Sequence, residues 1–430
     1  MYRVSFCTLG CRVNQAETRR IMENIEAEVE LVEFGQNCDL TVVNSCIVTR
    51  HAERTTRKMI NRARKYSPGG KIIIMGCYVD AHELVKEIKP FPALYFIKKE
   101  KKNSLPSLIK GFVESQTGSE TRLDKDAPHK LPPFAPSSTR PPLLVQNGCN
   151  KRCAYCIIPL ARGKAVSRPL NEILDDYERL LDCGYSETVL TGINIGSWGY
   201  DLAPGFNIST LLEELLKLTP KKHRIRTGSL EPESLDDAFF DLITEPGIAP
   251  HLHLPLQGAH QEILNQMNRP FPLEEYQLLL EKARKACPDI AVGSDLICGF
   301  PGESKKYFEQ GLRAVEKMAF SYLHVFPFSA RAGTKAETFK QLAPEVVKQR
   351  AARMRKLGAA MKTDYLDRFR DIKVEVVVET KVGDNLFQGT AGQFFNVRFA
   401  SSGPEPPLGE LVEVKLETHN SSSFKGRYLW

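Results

Sequence analysis

Apolar runs alternate with amphipathic segments along the first quarter of the chain. Between the apolar runs, NQAETRRIMENI and RTTRKMINRARKY carry apolar residues at helical spacing. The runs themselves are continuous enough to be strands buried on both faces, namely YRVSFCTL (2–9), DLTVVNS (39–45) and KIIIMG (71–76). Strands interleaved with helices are typical of a parallel sheet. We therefore predict that residues 1–112 form a small open α/β domain.

The same alternation recurs six times between residues 143 and 370. The apolar runs are PLLVQNG, ETVLTGI, HRIRTGS, PHLHLPL, IAVGSDLICGF and SYLHVFPFS, and five helical patterns separate them. Six β/α units indicate a partial (β/α)6 barrel rather than a closed eight-fold one. A long basic helix is predicted over 344–370.

Two further segments differ in character from these units. Residues 113–142 are rich in proline and small polar residues and show no period, which is typical of a linker. Residues 371–430 alternate apolar and polar positions in short runs separated by glycine-containing turns. This tail predicts a small β-barrel of the OB-like type.

Composition narrows the class of protein. The chain has 430 residues, of which 42% are hydrophobic and 26% charged, as expected for an ordinary globular protein. No apolar run is long enough to span a bilayer, and no export signal is visible, so we expect a cytoplasmic protein with no membrane partner. Eleven cysteines, an odd number, favour metal or catalytic roles over a disulfide framework. A net charge of +7 permits a nucleic-acid partner without requiring one.

The cysteines that stand closest together are Cys149, Cys153 and Cys156, in GCNKRCAYC. A closed zinc site or a ferredoxin-type cluster needs four ligands, and this run offers only three. A 4Fe–4S cluster held by three thiolates keeps one iron open to another ligand. The run therefore indicates a cluster that binds a reactant.

A second set consists of Cys11, Cys46 and Cys77, each of which follows the end of a predicted strand. Ligands bind at the carboxyl edge of open parallel sheets, so these three thiols are expected to converge there. Taken singly, each is more simply read as a buried apolar residue. Their shared context makes a second three-cysteine cluster site the better interpretation. The remaining five are assigned to structural roles: Cys7, Cys38, Cys183, Cys287 and Cys298.

The CNKRCAYC run resembles the cluster motif of radical S-adenosylmethionine (SAM) enzymes, and the wider chain resembles the methylthiotransferases among them. The resemblance rests on TLGCRVNQAET, VVNSCIVT, IIMGCY, GCNKRCAYCIIPLARGKAVSRP and the later segments TGINIGSWG, GSLEP, HLPLQ, GFPGES and SARAGTKA. It covers essentially the whole chain apart from the linker. The tail resembles the TRAM domain, an RNA-binding barrel. TLGCRVNQ is most similar to the branch that acts on N6-threonylcarbamoyladenosine at position 37 of tRNA.

This resemblance implies two 4Fe–4S clusters, one held by Cys149, Cys153 and Cys156 and one by Cys11, Cys46 and Cys77. One SAM would supply the radical and a second the methyl group of a methylthio group placed on carbon-2 of the adenine. It also implies an external electron donor and contact with the tRNA anticodon loop. SAM contacts are expected at predicted strand ends, from Gly192, Ser229, Glu231 and Gln257. No catalytic side chain is assigned. QGAH (257–260) and the proline-poor FSARAGT depart from the family pattern, which weakens detailed roles for Gln257 and Arg331.

RNA contact is expected from two basic helices and from aromatic residues of the tail. The aromatic candidates for stacking on bases are Phe387, Phe394, Phe395 and Phe399, although the alternation of the tail indicates that some of them fill its core. The basic candidates are Arg54, Arg57, Lys58, Arg62, Arg64 and Lys65 on one helix, and Lys348, Arg350, Arg353, Arg355 and Lys356 on the other.

Alternatives stay open at this point. The substrate of the same chemistry could be isopentenyladenosine-37 of tRNA or an aspartate of a ribosomal protein, as in the other branches. A different class would be a non-enzymatic iron–sulfur electron carrier. Thiolates also bind zinc, so a zinc-dependent RNA-binding protein is a third possibility.

Overall fold

A computed structural model describes residues 1–81, 88, 91, 93–117, 139–269, 271–420 and 423–429. The N-terminal unit is a five-stranded sheet with helices on its faces. Its strands are β1 (Tyr2–Thr8), β2 (Val29–Val32), β3 (Leu40–Ser45), β4 (Lys71–Gly76) and β5 (Leu94–Phe96). Its helices are α1 (Arg12–Glu23), α2 (Arg50–Tyr66), α3 (Cys77–Asp80) and α4 (Leu105–Thr117).

All neighbouring strands of this sheet are parallel, in the order β2-β1-β3-β4-β5. Every residue of β3 is buried, which explains its unbroken apolar run. The predicted open α/β domain is confirmed. β2 and β5 lie at the edges of the sheet and have only four and three residues, too short for a periodic signal in the sequence.

The first five residues of the predicted linker, 113–117, instead complete α4. Leu105, Ile109 and Val113 are buried at four-residue spacing and pack this helix against the sheet. This packing stabilises the helix although the small polar residues at its end have a low helix propensity. At the other end, Pro142 begins a strand rather than ending a linker. Residues 118–138 of that segment lie outside the described residues.

The central unit contains eight strands and eight helices. The strands are β6 (Pro142–Leu144), β7 (Gln146–Asn147), β8 (Val166–Ser167), β9 (Glu187–Thr191), β10 (Arg224–Arg226), β11 (His251–His253), β12 (Ala291–Cys298) and β13 (Tyr322–Pro327). The helices are α5 (Ile158–Arg162), α6 (Leu170–Asp182), α7 (Ile208–Leu218), α8 (Asp237–Leu242), α9 (Gln261–Gln266), α10 (Leu273–Ala286), α11 (Lys305–Met318) and α12 (Pro344–Asp367).

Six of these strands form the wall of a partial barrel. β6, β9 and β10 pair in parallel, as do β11, β12 and β13, and a parallel bridge from Ser229 to His253 joins the two halves. Leu252 and Ile225 belong to the core between the strands and the outer helices. Alternation along the strands therefore turns the side chains of Arg224, Arg226, His251 and His253 to the inside of the barrel. No helix among the described residues combines the length and apolarity needed to cross a membrane.

The C-terminal unit is a closed five-stranded barrel. Its strands are β14 (Lys373–Gly383), β15 (Leu386–Ala391), β16 (Asn396–Ala400), β17 (Leu411–His419) and β18 (Ser423–Tyr428). They close in the order β14-β15-β16-β18-β17, with only β16 and β18 parallel among the neighbouring pairs. This unit docks on the central barrel, where Arg226 donates hydrogen bonds to the carbonyl oxygens of Ala391 and Gly392 at 3.1 and 2.8 Å.

Candidate metal and cofactor centre

The structure brings Cys11, Cys46 and Cys77 to the carboxyl edge of the N-terminal sheet. They follow β1, β3 and β4, which are consecutive in the sheet order. Because parallel neighbours end at the same edge, residues separated by more than 30 positions in the chain become spatial neighbours. We call these three the sheet-edge cysteines. Cys46 and Cys77 are buried and Cys11 is exposed, so the group has one open side.

Two neighbouring residues shape this edge. Asn14 donates hydrogen bonds to the carbonyl oxygens of Leu9 (2.7 Å) and Ser45 (3.0 Å), and thereby ties the ends of β1 and β3 together. Gly10 has a positive φ of 90°, and a β-carbon there would lie 2.7 Å from the Cβ of Cys46 and 2.8 Å from its Sγ. Only glycine leaves the space beside this thiol open.

Cys149, Cys153 and Cys156, the loop cysteines, lie between β7 and α5 in the central unit. The Gln146 side chain donates to the carbonyl oxygen of Gly148 and accepts from the amide of Asn194, at 2.8 and 2.9 Å. It therefore ties the start of the cysteine loop to the TGINIG loop after β9. Each loop cysteine is partly exposed, and the three thiols are not sealed inside the protein.

Arg162 lies between the two cysteine groups. Its Nε donates to the Sγ of Cys77 at 3.1 Å, and its terminal nitrogens donate to Glu17 at 2.9 Å and to Asn14. Burial opposes the charge on this guanidinium, but the neighbouring Cys77 and Glu17 outweigh burial and raise the pKa of Arg162. Arg162 stands six residues after Cys156, so one side chain joins the cysteine loop to the sheet edge.

Each cysteine group offers three thiols, the donor set that a 4Fe–4S cluster with one open iron would use. Within the part of the chain that the structure describes, one set of three ligand atoms lies mutually within 4.8 Å, and it contains no cysteine. Two ligands at about 2.3 Å from one zinc ion are at most about 4.6 Å apart. Among the described residues, neither cysteine group has its three thiols that close together. Burial raises the pKa of Cys156 to about 12 and of Cys77 to about 11, so loading a cluster must displace thiol protons.

The residues expected to contact SAM lie at the ends of the barrel strands. Gly192 follows β9 closely, and a β-carbon there would lie 2.9 Å from the carbonyl oxygen of Gln146. Ser229 is exposed after β10, and Gln257 adopts a positive φ of 67° after β11. Their contact with SAM stays a prediction.

Glu231 makes ion pairs beside the cysteine loop. Its two carboxylate oxygens accept from Arg269 at 3.1 and 2.6 Å, and Lys151 adds a third contact at 2.9 Å. Burial opposes ionisation, but Arg269 and Lys151 outweigh it and lower the pKa of Glu231. Arg269 also lies 3.8 Å from the Sγ of Cys153. Glu231 therefore acts as an ion-pair partner in this structure. Its contact with SAM stays a prediction.

A hydrogen-bonded network inside the barrel was not anticipated from the sequence. Asp295 Oδ1 lies 3.1 Å from His253 Nε2 and 3.1 Å from His324 Nδ1, and these three atoms form the compact set mentioned above. The Tyr322 hydroxyl lies 2.9 Å from His253 Nδ1 and 2.8 Å from His251 Nε2. The sequence shows His251 and His253 in β11 and His324 in β13 as candidate polar residues. Only the order of the strands shows that they come together on either side of β12.

Three of the four phenylalanines considered for stacking on RNA bases are buried. Phe387, Phe395 and Phe399 are at most 3% exposed and fill the interior of the small barrel. Phe394 packs against His251 and Tyr322, with ring centroids 4.3 and 5.1 Å apart. In so small a barrel, alternate residues must fill the centre, and the aromatic residues occupy those positions. The stacking hypothesis was therefore wrong for Phe387, Phe395 and Phe399, and the expectation that some of these rings fill the core is confirmed. For the partly exposed Phe394, stacking on RNA stays a prediction.

The two basic helices differ in how much charge they present to solvent. On α2, Arg57 is half-buried and pairs with Glu53 at 3.0 Å, whereas the exposed residues are Arg54, Lys58, Arg62, Arg64 and Lys65. On α12, Arg350 is buried against Glu303 and Arg353 pairs with Glu309. The residues Lys348, Arg355 and Lys356 are exposed there. The exposed face of α2 therefore presents more basic side chains to solvent than the exposed face of α12.

Two family models match the chain. The one described as uncharacterized protein family UPF0004 covers residues 3–95, and the one described as the radical SAM superfamily covers residues 143–315. The first range contains the sheet-edge cysteines and the second contains the loop cysteines.

Curated relatives are similar over nearly the whole chain. The chain is 33% identical to the threonylcarbamoyladenosine tRNA methylthiotransferase MtaB of Bacillus subtilis (strain 168), over 97% of this chain and 94% of that protein. It is 34% identical to the protein of the same name from Aquifex aeolicus, over 82% and 87%. It is also 31% identical to the tRNA-2-methylthio-N(6)-dimethylallyladenosine synthase of Erythrobacter litoralis, over 100% and 97%.

Solved structures share the fold. The radical SAM methyltransferase TsrM from Kitasatospora setae, solved with cobalamin and a 4Fe-4S cluster, superposes with a TM-score of 0.56 at 16% identity, over 78% of this chain and 77% of that one. The cobalamin-dependent radical SAM enzyme OxsB, solved with SAM, gives a TM-score of 0.51 at 9% identity, over 86% and 56%. At these identities the likeness extends to architecture alone.

Proposed function

This chain belongs to the MtaB-type radical SAM methylthiotransferases and is a transferase, and on that premise we propose its reaction. It attaches a methylthio group to carbon-2 of N6-threonylcarbamoyladenosine at position 37 of tRNA. The observation that carries the proposal is the contact made by Arg162, which lies on the helix that follows the loop cysteines and donates a hydrogen bond to Cys77 of the sheet-edge group at 3.1 Å. A transfer that needs sulfur and radical chemistry at one adenine requires both centres to face one site.

The loop cysteines hold one 4Fe–4S cluster in this proposal, and the sheet-edge cysteines hold a second. A cluster with three thiolates and one open iron, loaded with SAM and reduced from outside, supplies a carbon radical able to remove a ring hydrogen that no side-chain base could take. A second SAM is the methyl donor. The two clusters explain why each cysteine group contains three thiols and not four.

The side chains around the thiols position and enclose the reaction. Gln146 keeps the cysteine loop against the TGINIG loop, and Arg269 is held beside Cys153 by Glu231. The buried contacts of Arg162 exclude water from the seam between the two units, where its side chain is 1% exposed. Exclusion of water matters because a free carbon radical reacts with whatever is near it.

The exposed basic face of α2 is proposed as the surface that binds the tRNA backbone. This helix begins four residues after Cys46, so RNA bound there lies next to the sheet-edge cysteines. If the five exposed basic residues contact phosphates, affinity should fall by about 0.7–0.9 log units per contact for each tenfold rise in salt. We place the reaction in the cytoplasm, where tRNA is found and thiols stay reduced.

Mass spectrometry of tRNA nucleosides tests the function directly. Cells that lack this protein should accumulate N6-threonylcarbamoyladenosine without its 2-methylthio derivative, and the wild-type gene should restore the derivative. The Cys153→Ala gene serves as the matched control and should not restore it. Unchanged levels of the derivative in the deletion strain would overturn the proposal. A loss of the methylthio derivative of isopentenyladenosine, or of a methylthio-aspartate in ribosomal protein, would assign the chain to another substrate.

A further inference from the structure

Arg12 is a largely buried cation whose guanidinium makes no direct hydrogen bond or ion pair among the residues that the structure describes. It is the first residue of α1 and directly follows Cys11. Its backbone and side chain are only partly exposed. Among the residues that the structure describes, no carboxylate or carbonyl oxygen accepts a hydrogen bond or ion pair from its guanidinium. The first turn of α1 also contains no acidic side chain to balance the positive end of the helix.

The charged residues around Arg12 form ion pairs with one another. Arg140, Glu187, Arg226 and Glu379 lie close enough to act on it electrostatically. Glu187 accepts from Arg226 at 2.7 Å and from Arg224 at 2.6 Å, and Arg140 lies 3.5 Å away.

Glu379, in turn, accepts from Arg140 at 2.7 Å. Four guanidinium groups thus share two carboxylates, and the region keeps an excess of positive charge.

A buried guanidinium without a direct anionic partner is unfavourable, because the more distant Glu187 and Glu379 offset only part of the hydration that it loses. Neighbouring arginines increase the cost. Such a group is stabilised when an anionic ligand occupies the site, and guanidinium binds carboxylate with two parallel hydrogen bonds. Arg12 is therefore suited to bind an anionic group, and its guanidinium lies among the charged residues of the barrel while its backbone follows Cys11.

The substrates named for the relatives differ in this respect. A threonylcarbamoyl group carries a carboxylate, whereas a dimethylallyl group is a hydrocarbon without charge. Sequence identities of 33% and 31% to the two kinds of relative hardly separate them. We propose that Arg12 binds the carboxylate of the threonylcarbamoyl group and so selects that adenosine over uncharged N6-substituted ones. This inference rests on the proposed function and adds to it a residue that determines specificity.

A competing role for Arg12 is to balance the negative charge of a cluster at Cys11. Arg162 already donates to the thiol of Cys77, so one cation serves that purpose. The two roles differ in what they predict: a charge-balancing residue changes cluster content or reactivity with every substrate alike. A carboxylate receptor changes only the discrimination between acidic and neutral substrates.

The test uses the full chain, loaded anaerobically with iron and sulfide, and two anticodon stem-loops. One carries N6-threonylcarbamoyladenosine and the other carries its methyl ester. The wild-type protein should convert the acid at least about 30-fold more efficiently in kcat/KM, the loss typical of removing one partner of a buried charge pair. Arg12→Gln should lose that factor on the acid and convert both stem-loops equally. Arg12→Lys should recover part of the preference. Arg20→Gln, on the exposed face of the same helix, should keep all of it.

Iron content and the rate of SAM cleavage without RNA are measured for each variant. An unchanged acid-to-ester ratio in Arg12→Gln would overturn the inference, even if its activity fell. Loss of iron in both Arg12→Gln and Arg12→Lys, with the ratio retained, would assign Arg12 to charge balance instead. If the wild-type protein modified neither stem-loop but did modify one with isopentenyladenosine, the proposed function would fail and the inference with it. Conversion of the acid with no preference over the ester would refute the inference alone.

Discussion

The two cysteine groups reach the same kind of arrangement by different routes. The loop cysteines lie within eight residues and depend on one local loop, held at its base by Gln146 and the backbone of Gly163. The sheet-edge cysteines span 67 residues and depend on the order of three strands. A local site forms wherever its loop folds, whereas a distributed site requires the whole sheet. The second group should therefore be the more sensitive to changes in the fold around it.

The largest difference is expected when one thiol of each group is removed. Cys153→Ala should abolish both SAM cleavage and methylthio transfer, because the proposed SAM-binding cluster loses a ligand. Cys46→Ala should keep reductive cleavage of SAM to 5′-deoxyadenosine but form no methylthio product. Each variant should lose about four iron atoms per chain. Iron analysis and chromatography of the nucleosides measure these outcomes.

If Cys46→Ala also failed to cleave SAM while it retained half the iron, the division of labour between the groups would be wrong. Cys38→Ala is the matched control, since Cys38 is a buried cysteine of the same unit that contacts Ser5 and Thr41 and no other cysteine. It should keep its full iron content.

A smaller effect is expected at the contact between the groups. Arg162→Met removes the closest contact of Glu17, which keeps Lys102 at 3.4 Å and Asn147 at 3.5 Å, and it removes the hydrogen bond to Cys77. Breaking such a buried pair costs about 3 kcal/mol of unfolding free energy or more. Urea unfolding should show this loss in the iron-free protein, and the loaded protein should lose iron faster from the sheet-edge group.

Arg20→Met provides the exposed control on α1 and should change the unfolding midpoint little. Equal unfolding midpoints for Arg162→Met and the wild-type protein would show that the N-terminal and central units do not depend on this contact.

The effect most selective for one iron site is expected from two glycines. Gly10→Ala places a methyl group against Cys46, and Gly148→Ala places one against the carbonyl oxygen of Lys164 at the base of the cysteine loop. Both positions have positive φ, which costs a non-glycine residue about 1–2 kcal/mol. Gly10→Ala should reduce iron at the sheet edge alone, and Gly148→Ala should reduce it at the loop alone.

Gly184→Ala separates the two causes, because its φ is 77° and nothing lies within 4 Å of the added methyl group. It should show the strain without any loss of iron. A loss of iron in Gly184→Ala equal to that in Gly10→Ala would mean that general destabilisation, and not crowding of the thiol, empties the site.

Much of the architecture could be predicted from local pattern. Burial of one or both faces gives a strand a recognisable pattern of apolar residues in its own sequence. This pattern is visible in β1, β3 and β4, in the six barrel strands and in the alternating tail. The loop cysteines were equally visible, because their spacing is local. Alternation indicated that some phenylalanines of the tail fill its core, but it did not identify Phe387, Phe395 and Phe399 as the buried ones.

What only the tertiary structure decided is which distant residues become neighbours. Strand order placed β1, β3 and β4 side by side, and so joined Cys11, Cys46 and Cys77. Packing of the N-terminal unit on the central barrel placed Arg162 against Cys77. It also placed Arg12 near other arginines that form ion pairs with the neighbouring carboxylates. Local sequence sets the secondary structure and the chemistry of each side chain. The pairing of charges and thiols across units depends on long-range packing. Because the energy of that packing is distributed over the whole core, no short sequence motif reports it.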